Sequence, residues 1–130
     1  MDHLIVGVWA VESKHLDRPR TDRGTFLFHA DGTASIAFSE YAAHAVWLAT
    51  GEHDATIAGT RPVGPDEGFV GWLTLKALAA ISDDGMGISM QAIQSRPRPD
   101  GTLAEQRATI TGRRLLVHAL GPTPQDEESN

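Results

Sequence analysis

Residues 44–61 read HAVWLATGEHDATIAGTR, and this stretch decides the fold. Trp47 lies in a short apolar run, Ala45 to Ala49. Turn-forming residues follow from Thr50 to Asp54, and a second short run spans Ala55 to Thr60. Two runs of strand length on either side of a Gly-containing turn read as a β-hairpin. The same alternation of short strand and turn recurs in both directions along the chain, which predicts an antiparallel β-domain closed on itself.

Upstream, Leu4 to Ser13 is nearly all apolar at its start, as expected of a strand that is buried on both faces or closes a barrel. Lys14 to Arg23 is charged and contains Pro19, so it reads as a loop. Thr25 to His29 is a strand with Phe26 and Phe28 on one face. Asp31-Gly32 is a tight turn, and Thr33 to Ser39 places Ile36 and Phe38 on one side. Downstream, Arg61 to Gly68 is a loop with two prolines. Phe69 to Ile81 is the longest apolar run and carries Trp72. Its Leu73–Ile81 segment contains good helix formers, but Gly71 and the Asp83-Asp84-Gly85 turn fit a strand better. Gly87 to Ser95 is a further strand, and Arg96 to Gly101 a Pro-containing loop. Leu103 to Thr111 and Arg114 to Leu120 are expected as the last two strands, joined at Gly112-Arg113. The fold class predicted is all-β: a single closed antiparallel up-and-down β-barrel of about eight to nine strands over residues 1–120. Residues 121–130 are an acidic tail expected to be disordered.

In such a barrel successive connections fall on alternate ends. The connections at 31–32, 50–54, 82–86 and 112–113 then share one end and are tight. Those at 14–24, 40–44, 61–68 and 96–102 share the other, and most are longer and carry Pro and charge. Tight turns close an end and long loops frame a mouth, so the second end is the expected ligand entrance.

Composition narrows the function classes. The 130 residues suffice for one domain with a core. A formal net charge of -6 without a basic stripe argues against a nucleic-acid partner. The absence of Cys excludes disulfides, thiolate catalysis and Cys-ligated metals. No apolar run approaches the ~20 residues of a membrane helix, and no signal-peptide pattern opens the chain, so a cytoplasmic protein without a membrane partner is expected. The six His residues, at 3, 15, 29, 44, 53 and 118, contain no pair at chelating spacing. Neither a metal nor a cofactor is therefore expected, and no nucleophile-elbow, Walker or dinucleotide motif is present.

Gly7-Val8-Trp9 on the first strand resembles the G-x-W pattern of the lipocalin-like, or calycin, barrels. The chain is also similar to small bacterial lipocalin-like proteins in Phe28-His29-Ala30-Asp31-Gly32-Thr33, in His44-Ala45-Val46-Trp47 followed by Thr50-Gly51, in the Ser82–Gly85 turn and in Thr109-Ile110-Thr111-Gly112-Arg113. The resemblance implies a barrel in which an Arg from the last strand, Arg113 or Arg114, lies across Trp9 at the closed end. At most it also implies a small apolar ligand.

Two sets of residues are candidates for a site. Phe28, Phe38, Trp47, Trp72 and Met90 either fill an ordinary core or line a pocket. Small residues such as Ala34, Ala45, Ala55 and Ala92 interleave with them, and eight strands enclose room for one ligand if the interior is not filled. Glu40, Tyr41 and His44 lie together at the expected mouth. Glu40 shares the parity of Ile36 and Phe38, and a carboxylate facing an apolar cavity could act as general acid or base, as could His44. Arg18, Arg20, Arg23, Arg61, Arg96 and Arg98 also fall on the mouth loops. Asp17, Asp22, Glu40, Asp66, Glu67 and Asp100 lie there too, six against six, so the potential is expected to cancel. Glu105 and Arg107 share one face of a late strand, either inside the barrel or facing water.

The expected function is binding of a small, largely hydrophobic molecule in the barrel cavity. The alternative is a cofactor-free cyclase or isomerase acting on a polyketide- or lipid-derived substrate, with proximity supplying the rate. A third reading is an interaction module, for example a homodimer formed through sheet edges or an outer apolar face.

Overall fold

Period-two alternation of apolar and polar residues runs through eight strands in the computed structural model, which describes residues 2–39, 41–64 and 68–116. They are β1 (Gly7–His15), β2 (Thr21–Phe28), β3 (Thr33–Phe38), β4 (Tyr41–Ala49), β5 (Asp54–Val63), β6 (Gly71–Ile81), β7 (Gly87–Pro97) and β8 (Leu103–Arg114). Each pairs antiparallel with the next, and β8 pairs back onto β1, so the sheet is a closed up-and-down barrel. The 44–61 hairpin forms as read, with Trp47 opposite Ile57. The long apolar run is strand from Gly71 to Ile81, alternately buried and exposed. Among the described residues each of the eight strands is paired on both sides. The outer wall exposes Val46, Leu48 and Leu78.

The turn expected at Gly112-Arg113 does not form. β8 runs unbroken through Gly112, which pairs with Val11 at the seam that closes the barrel. A side chain there would begin 2.5 Å from the Ala10 carbonyl oxygen. Gly112 therefore marks a close backbone approach rather than a turn. Residues 117–130, which include the rest of the expected ninth strand and the acidic tail, lie outside the described residues.

Tight turns gather at one end, as the alternation of connections required. Asp31 accepts hydrogen bonds from the Thr33 backbone N–H (2.9 Å) and hydroxyl (2.6 Å), and Asp100 holds Thr102 in the same way at the other end. Asp84 accepts from the Ser82 hydroxyl and the Met86 N–H. These Asx turns fix the chain reversals, with Gly32, Gly85 and Gly101 at positive φ. Hydrogen bonding to the charged form holds all three carboxyls below the ordinary 3.8.

The turn-rich end is also plugged. The N-terminal segment crosses it, with Ile5 fully buried and His3 Nε2 2.8 Å from the Gly51 carbonyl oxygen. Trp9 donates its indole N–H to the Ile5 carbonyl at 2.9 Å. The Arg114 guanidinium lies 4.3 Å from the Trp9 ring centroid. It donates to the carbonyls of Gly85 (2.9 Å), Val6 (2.7 Å) and Leu4. Of the two arginines the resemblance allowed, Arg114 is thus the one on Trp9, and Arg113 faces out. Gly7, at φ 134, is needed because a Cβ there would sit 2.7 Å from the guanidinium. Above this floor Trp9, Phe26, Phe28, Ile36, Ile57 and Met90 fill the lower barrel.

Replacing Arg114 with Met should cost about 2–4 kcal/mol in chemical denaturation, because it removes the cation–π contact and strands three carbonyls. Arg113→Met, on the outside, should stay within about 0.5 kcal/mol of the wild type. Stability should also fall on acidification. Carboxyls whose folded pKa is depressed contribute fully above the unfolded value and lose that contribution as pH drops through the folded one. The loss therefore begins below 3.8, and replacing Asp31, Asp84 and Asp100 together with Asn should flatten the pH dependence of the denaturation midpoint in that range.

Candidate functional site

Along several strands the inward-facing row changes character between floor and mouth. On β1 it reads Trp9, Val11, then Ser13 and His15. On β2 it reads Phe28, Phe26, then Gly24 and Asp22. β7 passes from Ile88, Met90 and Ala92 to Gln94 and Arg96, β8 from Ile110 and Ala108 to Gln106, and β5 from Ile57 and Gly59 to Arg61. β3 and β6 stay apolar and end on Phe38 and Leu73. The lower barrel is therefore packed, while the upper barrel holds an open cavity of about 290 Å³. Its wall is polar except at Phe38 and Leu73, and Arg18 and Arg20 reach it from the β1–β2 connection.

Register explains the grouping. Gln94 and Gln106 are cross-strand neighbours, as are Arg61 and Leu73, and Ser13 and Asp22. Each pair shares one face of the sheet and so reaches the cavity together. Asp22 is the hub of the β1–β2 side. Its two oxygens meet His15 Nε2 at 2.9 Å and the Arg20 Nε–H at 3.1 Å. Burial pushes the Asp22 carboxyl up, but the hydrogen bonds from His15 and Arg20 outweigh it and hold the group below its ordinary value. His15 Nδ1 is buried without a hydrogen-bond partner.

The residues expected at the site are mostly elsewhere. Phe38 lines the cavity. Phe28 and Met90 are buried in the packed lower core. Trp47 is partly buried at the closed end, where its indole N–H donates to the His29 carbonyl at 2.8 Å and its ring faces His3. Trp72 stands exposed on the outer wall against Phe69. His44 also faces outward, because β4 points its neighbours Ala43 and Ala45 inward. Tyr41 begins β4 opposite Phe38. Glu40 lies outside the described residues. Glu105 and Arg107 face water, 3.7 Å apart.

Among the described residues, the charges that line the cavity are unbalanced. Of the six acids counted on the mouth loops, Asp22 is the one that lines it among the described residues, against Arg18, Arg20, Arg61 and Arg96. Asp100 is committed to its own turn. The signal that would have found these residues is parity: extending the inward row of each strand two positions mouthward lands on Ser13, His15, Asp22, Gln94, Arg96 and Gln106. Among the described residues no three His, Asp or Glu side chains gather as a metal site would require.

No family model matches the chain, and no curated protein matches it. Among solved structures it is similar to a redesigned β-barrel, with 15% identity and a TM-score of 0.58, covering 89% of this chain and 98% of that one. The likeness supports the closed eight-stranded barrel and consists of fold alone.

Proposed function

We propose that the barrel binds a small organic molecule in its mouth cavity, with the molecule's apolar part against Phe38 and Leu73 and its polar part toward the other strands. The observation that carries this reading is the division of the interior: an open cavity of about 290 Å³ standing on a plugged and filled floor. Convergent polar groups around a concave space, set beside the apolar Phe38 and Leu73, fit a bound ligand better than a structural core. The largely hydrophobic ligand expected from the sequence becomes, on this lining, an amphiphilic one.

A second reading adds turnover, as a cofactor-free cyclase or isomerase, and the His15–Asp22 pair in the cavity wall is what favours it. It requires that pair to part, because His15 Nε2 is committed to Asp22 and Nδ1 is buried. Binding alone needs no such opening and is the reading preferred.

Screening a small-molecule library by protein-observed NMR should move resonances of Ser13, Gln94 and Gln106. Gln106→Trp, which fills the mouth with an indole, should abolish those shifts while the protein stays folded. Shifts gathering on the outer wall or around Trp47, or shifts unaffected by Gln106→Trp, would refute the mouth site. For any hit, a product assay separates the two readings: the wild type converts nothing if it only binds, whereas if it catalyses it forms product and His15→Gln removes that product while leaving binding in place.

A further inference from the structure

The lining residues carry more than an entrance. We infer that the molecule held in the mouth cavity is an organic anion, one with a carboxylate or similar oxyanion group; this rests on the binding reading above.

Four guanidiniums and one carboxylate line the cavity among the described residues. That concentration runs against the composition of the chain, which has 11 Lys and Arg to 17 Asp and Glu. Asp22 has both oxygens engaged, by His15 and Arg20. Arg18 and Arg96 have no carboxylate within ion-pair distance among the described residues, whereas two arginines on the outer wall do: Arg23 lies 3.4 Å from Glu12 and Arg107 3.7 Å from Glu105. Guanidiniums that line one concavity repel one another, and an oxyanion relieves that repulsion with charge-assisted, bidentate hydrogen bonds. The concavity also focuses the field on the entrance. Ser13, Gln94 and Gln106 add neutral hydrogen-bonding groups, and Phe38 and Leu73 supply the surface for an apolar body. A bare inorganic ion would leave that surface unused.

The test titrates four probes of one size into the full-length protein: benzoate, phenyl phosphate, benzamide and benzyl alcohol. The readout is the side-chain amide resonances of Gln94 and Gln106. At low salt the anions should bind about tenfold or more tighter than the neutral pair, and added salt should erode the difference. The double substitution Arg18→Gln with Arg96→Gln should bring the anions to parity with the neutral probes. Arg23→Gln with Arg107→Gln, on the outer wall, should leave the preference intact. The ratio of benzoate to phenyl phosphate tells a carboxylate from a phosphate ligand. Equal binding of charged and neutral probes would overturn the anion inference and leave the mouth cavity standing as a ligand site. Failure of all four to move these amides would overturn both.

Discussion

One cation holds the floor of this barrel together. Arg114 stacks on Trp9 and donates to three carbonyls from two segments, the N-terminal arm and the β6–β7 turn. Those carbonyls tie the arm and the turn to each other and to the end of β8. Burial lowers the Arg114 pKa, but a guanidinium stays charged throughout the accessible range, so the clamp does not titrate away. With the arm docked, Ile5 joins Trp9 and Phe26 in the core, and the lower barrel has no room for anything but its own side chains. What remains open is the other end.

The two ends thus solve different problems with the same strands. Near the floor, inward positions carry large apolar groups and packing supplies stability. Two or three residues further along, the inward positions turn polar, and the strands stop contributing core and begin lining a cavity. The β3 and β6 rows, ending on Phe38 and Leu73, carry the apolar surface through that boundary. The long mouth loops bring Arg18 and Arg20 over the rim, and Asp22 fastens Arg20 and His15 beside the wall.

Much of the architecture was legible in the sequence, because turn chemistry and period-two patterning are local. Asp31-Gly32-Thr33 and Asp83-Asp84-Gly85 announce their turns through side chains that bond their own backbone. The tight turns at 31–32, 50–54 and 82–86 do share one end, whereas the one expected at 112–113 is strand. Gly112 misled because a glycine required by a neighbouring strand looks, in one dimension, like a glycine required by a turn; its reason is the Ala10 carbonyl, about a hundred residues away. The site was less legible. His44 was placed by its position in the chain near the mouth, although its parity points it outward. The loop charges balance as a sum, whereas among the described residues four arginines and one aspartate line the cavity. Trp72, chosen for its size, lies on the outer face, where burial cannot be read from hydrophobicity alone.

A packed apolar half supports an open, polar-lined half, and residue-resolved native-state hydrogen exchange tests this most directly. Amides of Trp9, Phe26, Met90 and Ile110 should exchange only through global unfolding, with an opening free energy equal to the stability found by denaturation. Amides of Asp22, Arg61, Arg96 and Gln106 should open locally, at clearly lower cost. Equal protection at both ends, or stronger protection around the mouth, would contradict the account.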